Sequence, residues 1–216
     1  MRTKKDFISF MCDAGVLTFG DFTTKSGRKT PYFVNTGNYR TGKHISILGD
    51  YYADLVAESL NKTGIKYDAL FGPAYKGITL AALTASSLYK NHGIDIPFFY
   101  NRKEIKDHGE GGALVGYIPK DGDRIAVIED VVTAGTAIRE ALELFKTVAD
   151  IKLKSLYVSV DRMERGTGDR SALDELRDDY DINICAIINA RDIIDSFPEG
   201  DERKAKIERY LAEYGA

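Results

Sequence analysis

Two adjacent carboxylates followed by a turn of small residues carry the clearest chemical signal in this chain. Glu129 and Asp130 follow the apolar run 125–128, and the turn 133–136 opens a segment with helical spacing. Amides at a helix start bind anions, and Gly135 permits close approach of a ligand to the backbone. Carboxylates before such a turn can accept hydrogen bonds from two neighbouring hydroxyls. The pattern therefore predicts a site for a phosphorylated sugar.

A second anion site is predicted at residues 72–77, with the sequence GPAYKG, where an apolar run ends and a helical pattern begins. The helix-start amides and the Lys76 ammonium suit a polyphosphate. This 72–77 loop is not a Walker A loop, because its second glycine is not followed by Lys and then Ser or Thr. Taken alone, a glycine–proline turn with a solvated lysine is the simpler interpretation.

Residues 102–112 combine cationic side chains with glycines. Arg102, Lys103, Lys106 and His108 lie within seven positions, and three glycines follow within four more. A segment of this kind can close over a reacting polyphosphate, because glycines permit backbone movement and the cations then arrive on closure. We call it the lid segment. A solvated loop with its own surface ion pairs is the alternative interpretation of these residues alone.

Two weaker signals lie elsewhere. The basic stretch 24–29 precedes the aromatic pair Tyr32 and Phe33, and Arg162 follows a buried strand pattern. The planar guanidinium of Arg162 fits a carboxylate. Taken alone, each stretch is more simply interpreted as a polar loop whose surface ion pairs contribute little.

Alternating strand and helix patterns from about residue 66 position these segments. Strands are predicted at 67–72, 96–101, 124–129, 153–160 and 182–188, and helices at 4–14, around 48–59, and at 77–91, 136–148, 171–178 and 202–214. The alternation predicts an α/β fold with a mostly parallel sheet of about five strands flanked by helices. We expect a single domain, 1–216, with an N-terminal helix and hood hairpin over about 1–40 and an α/β core over about 41–216.

Composition indicates an ordinary globular protein. The chain has 216 residues, 44% apolar and 29% charged, with a net charge of −3. It is long enough to bury a core, and it lacks the basic balance of a nucleic-acid-binding protein. The longest apolar runs are too short to span a membrane. We therefore expect a cytoplasmic protein with neither nucleic acid nor membrane as a partner.

Potential metal ligands are sparse. His44, His92 and His108 share no ligand spacing, and Cys12 and Cys185 are too few for a disulfide framework. We predict no metal held by protein side chains and interpret the two cysteines as buried core thiols.

The motif at 125–137 resembles the PRPP-binding motif of the type I phosphoribosyltransferases, where PRPP is 5-phosphoribosyl 1-diphosphate. The shared pattern is a hydrophobic strand, two acids, two hydrophobic residues and a Thr-x-Gly-Thr turn. The order of the other motifs, at 23–28, 72–77, 102–112 and 161–166, resembles the orotate phosphoribosyltransferase family along nearly the whole chain. The resemblance implies the type I phosphoribosyltransferase fold with a small N-terminal hood.

The resemblance also implies roles for individual residues. The PRPP-binding residues would be Lys25, Tyr75, Lys76, Arg102, Lys103, Lys106, His108, Glu129, Asp130, Val131, Val132, Thr133, Ala134, Gly135, Thr136 and Ala137. The orotate-binding residues would be Lys25, Phe33, Val34, Thr133 and Arg162. Lys106, His108 and Asp130 would be catalytic. Many relatives have a second aromatic residue at the position of Val34 and aspartate at the position of Glu129.

The implied activity is that of a glycosyltransferase of the pentosyltransferase type. PRPP and orotate would give orotidine 5′-monophosphate and pyrophosphate in de novo UMP biosynthesis. Mg²⁺ is the expected cofactor, carried mainly by PRPP and water. The lid segment would act on the neighbouring subunit's active site, which implies a homodimer. Arg162 would reject uracil, which lacks the carboxylate, by roughly 10⁴-fold.

Two alternatives remain open from the sequence. A purine or uracil phosphoribosyltransferase would share the PRPP turn but would not need the lid cations and Arg162. A PRPP-sensing regulator that binds nucleic acid would need a basic surface, whereas this chain is mildly acidic.

Overall fold

The structure of the protein is a computed structural model. It describes residues 2–24, 27–106, 112–132, 134–166 and 168–216, with the backbone alone at Ile105 and Lys106. The helices are α1 Lys4–Asp13, α2 Gly42–Thr63, α3 Lys76–His92, α4 Thr136–Lys146, α5 Ala172–Tyr180, α6 Ala190–Asp195 and α7 Glu202–Tyr214. The strands are β1 Leu17–Thr23, β2 Lys29–Val34, β3 Ala69–Gly72, β4 Phe98–Lys106, β5 Gly112–Gly116, β6 Arg124–Ile128, β7 Lys152–Asp161 and β8 Asn183–Asn189.

The hood hairpin consists of β1 and β2 and lies outside the main sheet. Its strands pair antiparallel, with Leu17 opposite Val34. A 3₁₀ turn, Thr36–Asn38, follows β2 directly and leads towards α2. The amide of Asn35 donates to the carbonyl of Val16, which closes the hairpin beside α1. The hairpin predicted from the sequence is therefore present and is joined to the core by a short turn.

Within the described residues, six strands form the main sheet in the order β5-β4-β3-β6-β7-β8. The neighbours from β4 to β8 pair in parallel, and β5 is an antiparallel edge strand. The strand order reverses between β3 and β6, and open α/β sheets bind ligands at such a switch point, beyond the carboxyl ends of the strands. The 72–77 loop follows β3, and Glu129 and Asp130 follow β6, so the sheet places both predicted anion sites at this point.

Helices cover both faces of the sheet. On β6, Ala126 and Ile128 pack into the cluster that includes residues of α1, α2 and α3, and Ile125 and Val127 pack into the cluster with α4 and α5. A strand buried on both faces reads as a continuous apolar run, which is the pattern of 125–128. The predicted α/β class is confirmed, and the strands at the switch point are held from both sides.

Two expectations about the sheet need correction. The prediction of about five strands missed β5, whose five residues begin and end with glycine and were assigned to the lid segment and its flank. Pairing with β5 also extends β4 to Lys106, beyond the predicted end at 101. Arg102 and Lys103 therefore lie on a strand rather than on a loop, because the antiparallel ladder supplies backbone hydrogen bonds that local propensity does not reveal.

The prediction that both cysteines are buried is wrong for Cys12, which lies on the exposed side of α1, next to the buried Met11. Cys185 on β8 is half-buried, and both thiols are free. In the part of the chain that the structure describes, no helix is long and apolar enough to cross a membrane.

Candidate active site

The backbone of Glu129 and Asp130, the acid pair, is fixed by contacts from two elements, α2 and β7. The Tyr52 hydroxyl on α2 donates to the carbonyl of Glu129 at 2.6 Å. The amide and hydroxyl of Ser159 on β7 both donate to the carbonyl of Asp130, at 2.8 and 2.7 Å. The amide of Glu129 donates to the carbonyl of Tyr157. The two carboxylates are therefore attached to a backbone that buried neighbouring residues hold in place.

The Asp130 carboxylate is held by three donors. Its Oδ1 accepts from the amide of Val131 at 2.7 Å, and its Oδ2 accepts from Thr36 Oγ1 at 2.6 Å and from Lys76 Nζ at 2.7 Å. Burial favours the neutral acid, but the hydrogen bonds from Lys76 and Thr36 outweigh it and leave the pKa of Asp130 below its ordinary value. Asp130 is therefore an anion at neutral pH.

Glu129 has the opposite electrostatic state. Burial is the main cause that raises the pKa of its carboxyl to about 8, and the nearby charge of Asp130 adds to the shift. Its Oε1 accepts from the amide of Asp130 at 2.9 Å. At neutral pH the acid pair therefore carries one proton, held mainly by Glu129, and one negative charge, held by Asp130.

The small-residue turn after the acid pair leads into α4. Gly135 occupies the N-cap position with φ of 71°, a left-handed conformation that favours glycine. A Cβ at this position would also meet the side chain of Leu176 at 3.2 Å. Thr133, the residue of the turn predicted to contact both PRPP and orotate, lies outside the described residues.

The 72–77 loop presents Lys76 to the acid pair. Gly72 and Gly77 approach each other so closely that a Cβ on Gly72 would overlap the carbonyl of Gly77. The amide of Ala74 donates to Asn101 Oδ1 on β4 at 2.8 Å, and the Ala74–Tyr75 peptide bond is cis. Tyr75 is 72% exposed. The loop thus turns sharply at the end of β3 and brings the Lys76 ammonium onto Asp130.

Arg162, at the end of β7, lies beside the hood hairpin. Its guanidinium stacks over the ring of Tyr32, with 4.4 Å between Cζ and the ring centroid. It pairs with Glu164 Oε1 at 2.6 Å and donates weakly to Thr30 Oγ1 at 3.4 Å. Only 13% of the Arg162 side chain and 16% of the Glu164 side chain is exposed. The cation predicted for a carboxylate ligand therefore already has an internal carboxylate partner.

One of the other predicted orotate contacts, Phe33, lies on the opposite side of β2. Phe33 is 41% exposed and packs against Phe22, whereas Thr30 and Tyr32 are buried. Side chains alternate across a strand, so the Phe33 ring and the Arg162 guanidinium lie on different faces. Val34 is half-buried. A ligand that reached Arg162 would meet the backbone of Phe33 rather than its ring.

The lid segment is only partly described. On β4, Arg102 donates to the carbonyl of Gly112 at 3.3 Å, and Lys103 lies 3.9 Å from the Glu140 carboxylate on α4. His108, the side chain of Lys106, and Lys25 of the hood hairpin lie outside the described part of the chain. Their predicted roles stay predictions.

Sequence reasoning missed several residues that contact the acid pair. Thr36, Tyr52 and Ser159 each hydrogen-bond to it, and Glu164 pairs with Arg162. A signal existed for Thr36, because it is a polar residue three positions beyond the aromatic pair Tyr32 and Phe33. Tyr52 carried no separate signal, since it matched the apolar stripe of an amphipathic helix.

The doubly wound sheet, with a small-residue turn and an acid pair at its switch point, belongs to the class of phosphoribosyl transferase domains. A family model with that description matches residues 44–186. The orotate phosphoribosyltransferase of Clostridium beijerinckii is 48% identical to this chain, over 99% of this chain and 98% of that protein. The enzyme of the same name from Escherichia coli O45:K1 is 45% identical over 98% of each chain.

A crystal structure of the Francisella tularensis orotate phosphoribosyltransferase superposes with a TM-score of 0.86 at 36% identity, covering 97% of this chain and 99% of that one. The chain therefore belongs to the orotate phosphoribosyltransferase family. The resemblance seen in the sequence motifs and the implied type I fold are confirmed.

Proposed function

We propose that this chain transfers the 5-phosphoribosyl group from PRPP to orotate, giving orotidine 5′-monophosphate and pyrophosphate in pyrimidine biosynthesis. The bond from the ribose anomeric carbon to pyrophosphate breaks, a bond from that carbon to a ring nitrogen of orotate forms, and the proton of that nitrogen is released to pyrophosphate or solvent. The observation that carries the proposal is the contact between Lys76 and Asp130, which joins the two predicted anion sites at the sheet's switch point in a chain of this family.

The geometry supports a division of PRPP between these sites. The 5-phosphate would be held by the small-residue turn, residues 131–137, and the ribose hydroxyls by Glu129 and Asp130. The Lys76 side chain is 61% exposed, so it can swing to the pyrophosphate while Asp130, 15% exposed, stays in place. On this proposal, PRPP binding replaces the Lys76–Asp130 ion pair with two contacts, one from Lys76 to the pyrophosphate and one from Asp130 to the ribose.

The transition state explains why cations and an acid are both needed. Positive charge grows on the ribose as pyrophosphate leaves, so an anion facing the sugar and cations facing the leaving group both stabilise it. Asp130 would be the anion that faces the ribose. Tyr75, Lys76, Arg102, Lys103, Lys106 and His108 would surround the pyrophosphate, with Lys106 and His108 of the lid segment as the catalytic pair.

Mg²⁺ would enter with PRPP. Across the described ranges, no group of three or more His, Cys, Asp or Glu side chains is arranged to hold a metal ion. Mg²⁺ keeps several waters and binds readily through phosphate oxygens, which fits a site that offers the Asp130 carboxylate and little else. When bound, the ion would neutralise charge on the departing pyrophosphate.

Orotate would lie between the hood hairpin and the loop after β7. Phe33 and Val34 would contact it mainly through their backbone, with Lys25 and Thr133 nearby, and Arg162 would receive its carboxylate. Because Glu164 already pairs with Arg162, the orotate carboxylate would join an existing ion pair. Binding uracil would leave Arg162 with its Glu164 partner, so the penalty is smaller than the cost of leaving a buried cation unpaired.

The proposal includes a homodimer in which each lid segment serves the neighbouring active site. Mixing a His108→Ala variant with an Asp130→Asn variant tests this arrangement, because mixed dimers then contain one site with both wild-type residues. We expect activity to rise above that of either variant alone. Verified mixed dimers that gained no activity would show that each lid serves its own subunit.

The reaction itself is tested by following the ultraviolet absorbance of orotate with protein, PRPP and Mg²⁺, beside uracil, hypoxanthine and guanine, with pyrophosphate release measured in parallel. We expect consumption of orotate alone. Reaction with another base would keep the PRPP site and overturn the assignment of Arg162. PRPP binding without reaction would instead support the regulator alternative.

A further inference from the structure

The Thr36 hydroxyl closes a ring of three side chains at the acid pair. It donates to Asp130 Oδ2 at 2.6 Å and accepts from Lys76 Nζ at 2.9 Å, while Lys76 also donates to Asp130 Oδ2 at 2.7 Å. The three residues come from the 3₁₀ turn after β2, the start of α3 and the end of β6. The hood hairpin therefore reaches the acid pair through this hydroxyl.

Thr36 and Lys76 differ in what happens to them when PRPP binds. The proposed function moves the exposed Lys76 ammonium onto pyrophosphate, which removes one of the two donors to Asp130 Oδ2. The Thr36 hydroxyl would stay in place when Lys76 moves and would remain the donor to Asp130 Oδ2. A hydrogen bond to an ionised acceptor is stronger than one between neutral groups.

The backbone on both sides of Thr36 is anchored independently of its hydroxyl. Asn38 Nδ2 donates to the carbonyl of Gly15 at 2.6 Å, and the amide of Gly37 donates to Asn35 Oδ1 at 3.2 Å. The turn is thereby tied to the segment between α1 and β1. Neither anchor involves the acid pair.

We propose that Thr36 is a positioning residue for PRPP: its hydroxyl orients the Asp130 carboxylate towards the ribose hydroxyls and links the segment after the hood hairpin to the sugar site. The inference rests on the proposed function, because it takes Asp130 as a ribose ligand. It assigns Thr36 no contact with the reacting atoms.

Paired substitutions at Thr36 separate the hydroxyl from the shape of the side chain. Thr36→Val removes the hydroxyl and keeps the branched shape, and Thr36→Ser keeps the hydroxyl. The hydrogen bond holds Asp130 in the orientation that would bind the ribose hydroxyls, so its loss should raise KM for PRPP. We expect Thr36→Val to raise KM for PRPP about tenfold, with Thr36→Ser within about twofold of wild type.

KM for orotate is the readout that a merely structural role would move. Phe33 and Val34 precede Thr36 in the same segment, so a distorted hood hairpin would raise KM for both substrates. We expect KM for orotate to be unchanged in both variants. A Thr36→Val variant with wild-type KM for PRPP, or a Thr36→Ser variant as impaired as Thr36→Val, would overturn the proposal.

Calorimetric binding of PRPP in the presence of Mg²⁺ distinguishes this inference from the proposed function. If wild-type protein bound PRPP but failed to consume orotate, the proposed reaction would be wrong. Thr36→Val must still weaken PRPP binding about tenfold relative to wild type and Thr36→Ser. If wild-type protein did not bind PRPP, both the inference and the proposed function would fall.

Discussion

The PRPP half and the orotate half of the proposed site are built in different ways. The PRPP half lies at the ends of β3 and β6, which neighbour each other in the sheet and are buried on both faces. The orotate half joins Thr30 of the hood hairpin to Arg162, 132 positions away in the chain. The residues of the PRPP half lie in contiguous sequence motifs. The orotate half forms only when the hood hairpin packs against the loop after β7.

The two halves also hold their charges differently. In the PRPP half the anion is buried and the cation is exposed, since Asp130 is 15% and Lys76 61% accessible. In the orotate half both members of the Arg162–Glu164 pair are largely buried. Lys76 can leave its partner at little cost, whereas separating Arg162 from Glu164 would strand a buried charge. The PRPP half is therefore suited to exchange partners, and the orotate half to keep them.

The largest expected effect tests the PRPP half. Asp130→Asn keeps the shape of the side chain but removes the anion that holds Lys76 and would face the ribose. We expect kcat/KM for PRPP to fall on the order of 10²- to 10³-fold, as for loss of one preorganised group that meets transition-state charge. Steady-state kinetics with orotate in excess measure this effect.

Asp68→Asn is the matched control, because Asp68 pairs with Arg124 at the other end of β6. It removes a carboxylate next to the same strand without touching the site. We expect its kcat/KM to stay within about twofold of wild type. Equal losses in both variants would mean that the strand, and not the Asp130 charge, controls activity.

The next effect tests the orotate half. Arg162→Ala removes the cation and leaves the Glu164 carboxylate facing the orotate carboxylate. We expect kcat/KM for orotate to fall about 100-fold and most of the preference over uracil to disappear, measured as the ratio of the two kcat/KM values. If the variant kept full discrimination, the assignment of Arg162 would be wrong.

Glu164→Gln sharpens this test, because it leaves Arg162 without its internal carboxylate. The substrate's carboxylate then becomes the main partner of the guanidinium, so discrimination against uracil should rise rather than fall. A fall would indicate that Glu164 is needed to orient Arg162 and that the orotate half depends on the intact pair.

The contrast between the two halves explains how much the sequence could predict. The strands, the 72–77 loop and the acid pair follow from hydrophobic periodicity and from turns that lie next to them in the chain. Helix α7, Glu202–Tyr214, coincides with the predicted tail helix. In each case the signal and the structure occupy the same stretch of sequence.

Long-range pairing was not predictable in the same way. Strand β5 needed β4 as its partner, and the contact of Thr36 with Asp130 spans 94 positions. The Glu164 partner of Arg162 lies two residues away, within the motif at 161–166, but the sequence does not show that this ion pair is buried. Local patterns therefore located the acid pair but not the side chains that hold it.

The protonation of Glu129 is tested by a smaller effect. The folding equilibrium constant should change about tenfold per pH unit. The pKa is raised from 4.5 to about 8, mainly by burial. Between those values the unfolded chain releases the proton and the folded chain keeps it. Stability from this group is therefore complete below pH 4.5, falls as pH rises, and is lost above pH 8.

Glu129→Gln mimics the neutral acid and removes this dependence. We expect the free energy of unfolding of wild type, relative to the variant, to fall by about 1.4 kcal/mol per pH unit between pH 5 and 8. Urea unfolding of both proteins across that range measures the difference. Titration of Asp130 does not contribute in this range, because its lowered pKa confines its effect on stability to more acidic pH. A constant difference would show that Glu129 is ionised throughout.

The smallest expected effect concerns the attachment of the hood hairpin. Arg28 donates to the carbonyls of Arg165 and Gly166, at 2.7 and 2.9 Å, and lies over the ring of Tyr214. Arg28→Lys offers a single ammonium that cannot reproduce both bonds of the planar fork. We expect KM for orotate to rise about fivefold, with KM for PRPP unchanged, in steady-state kinetics.

Lys29→Ala is the control for this change, because Lys29 bonds only to Thr23 within the same hairpin in the part of the chain that the structure describes. Its loss should leave both KM values unchanged. If Arg28→Lys raised KM for PRPP as much as for orotate, the hood hairpin would support both halves equally. The division between a locally encoded PRPP half and an assembled orotate half would then fail, and Thr36 would be the contact through which the hairpin acts on PRPP.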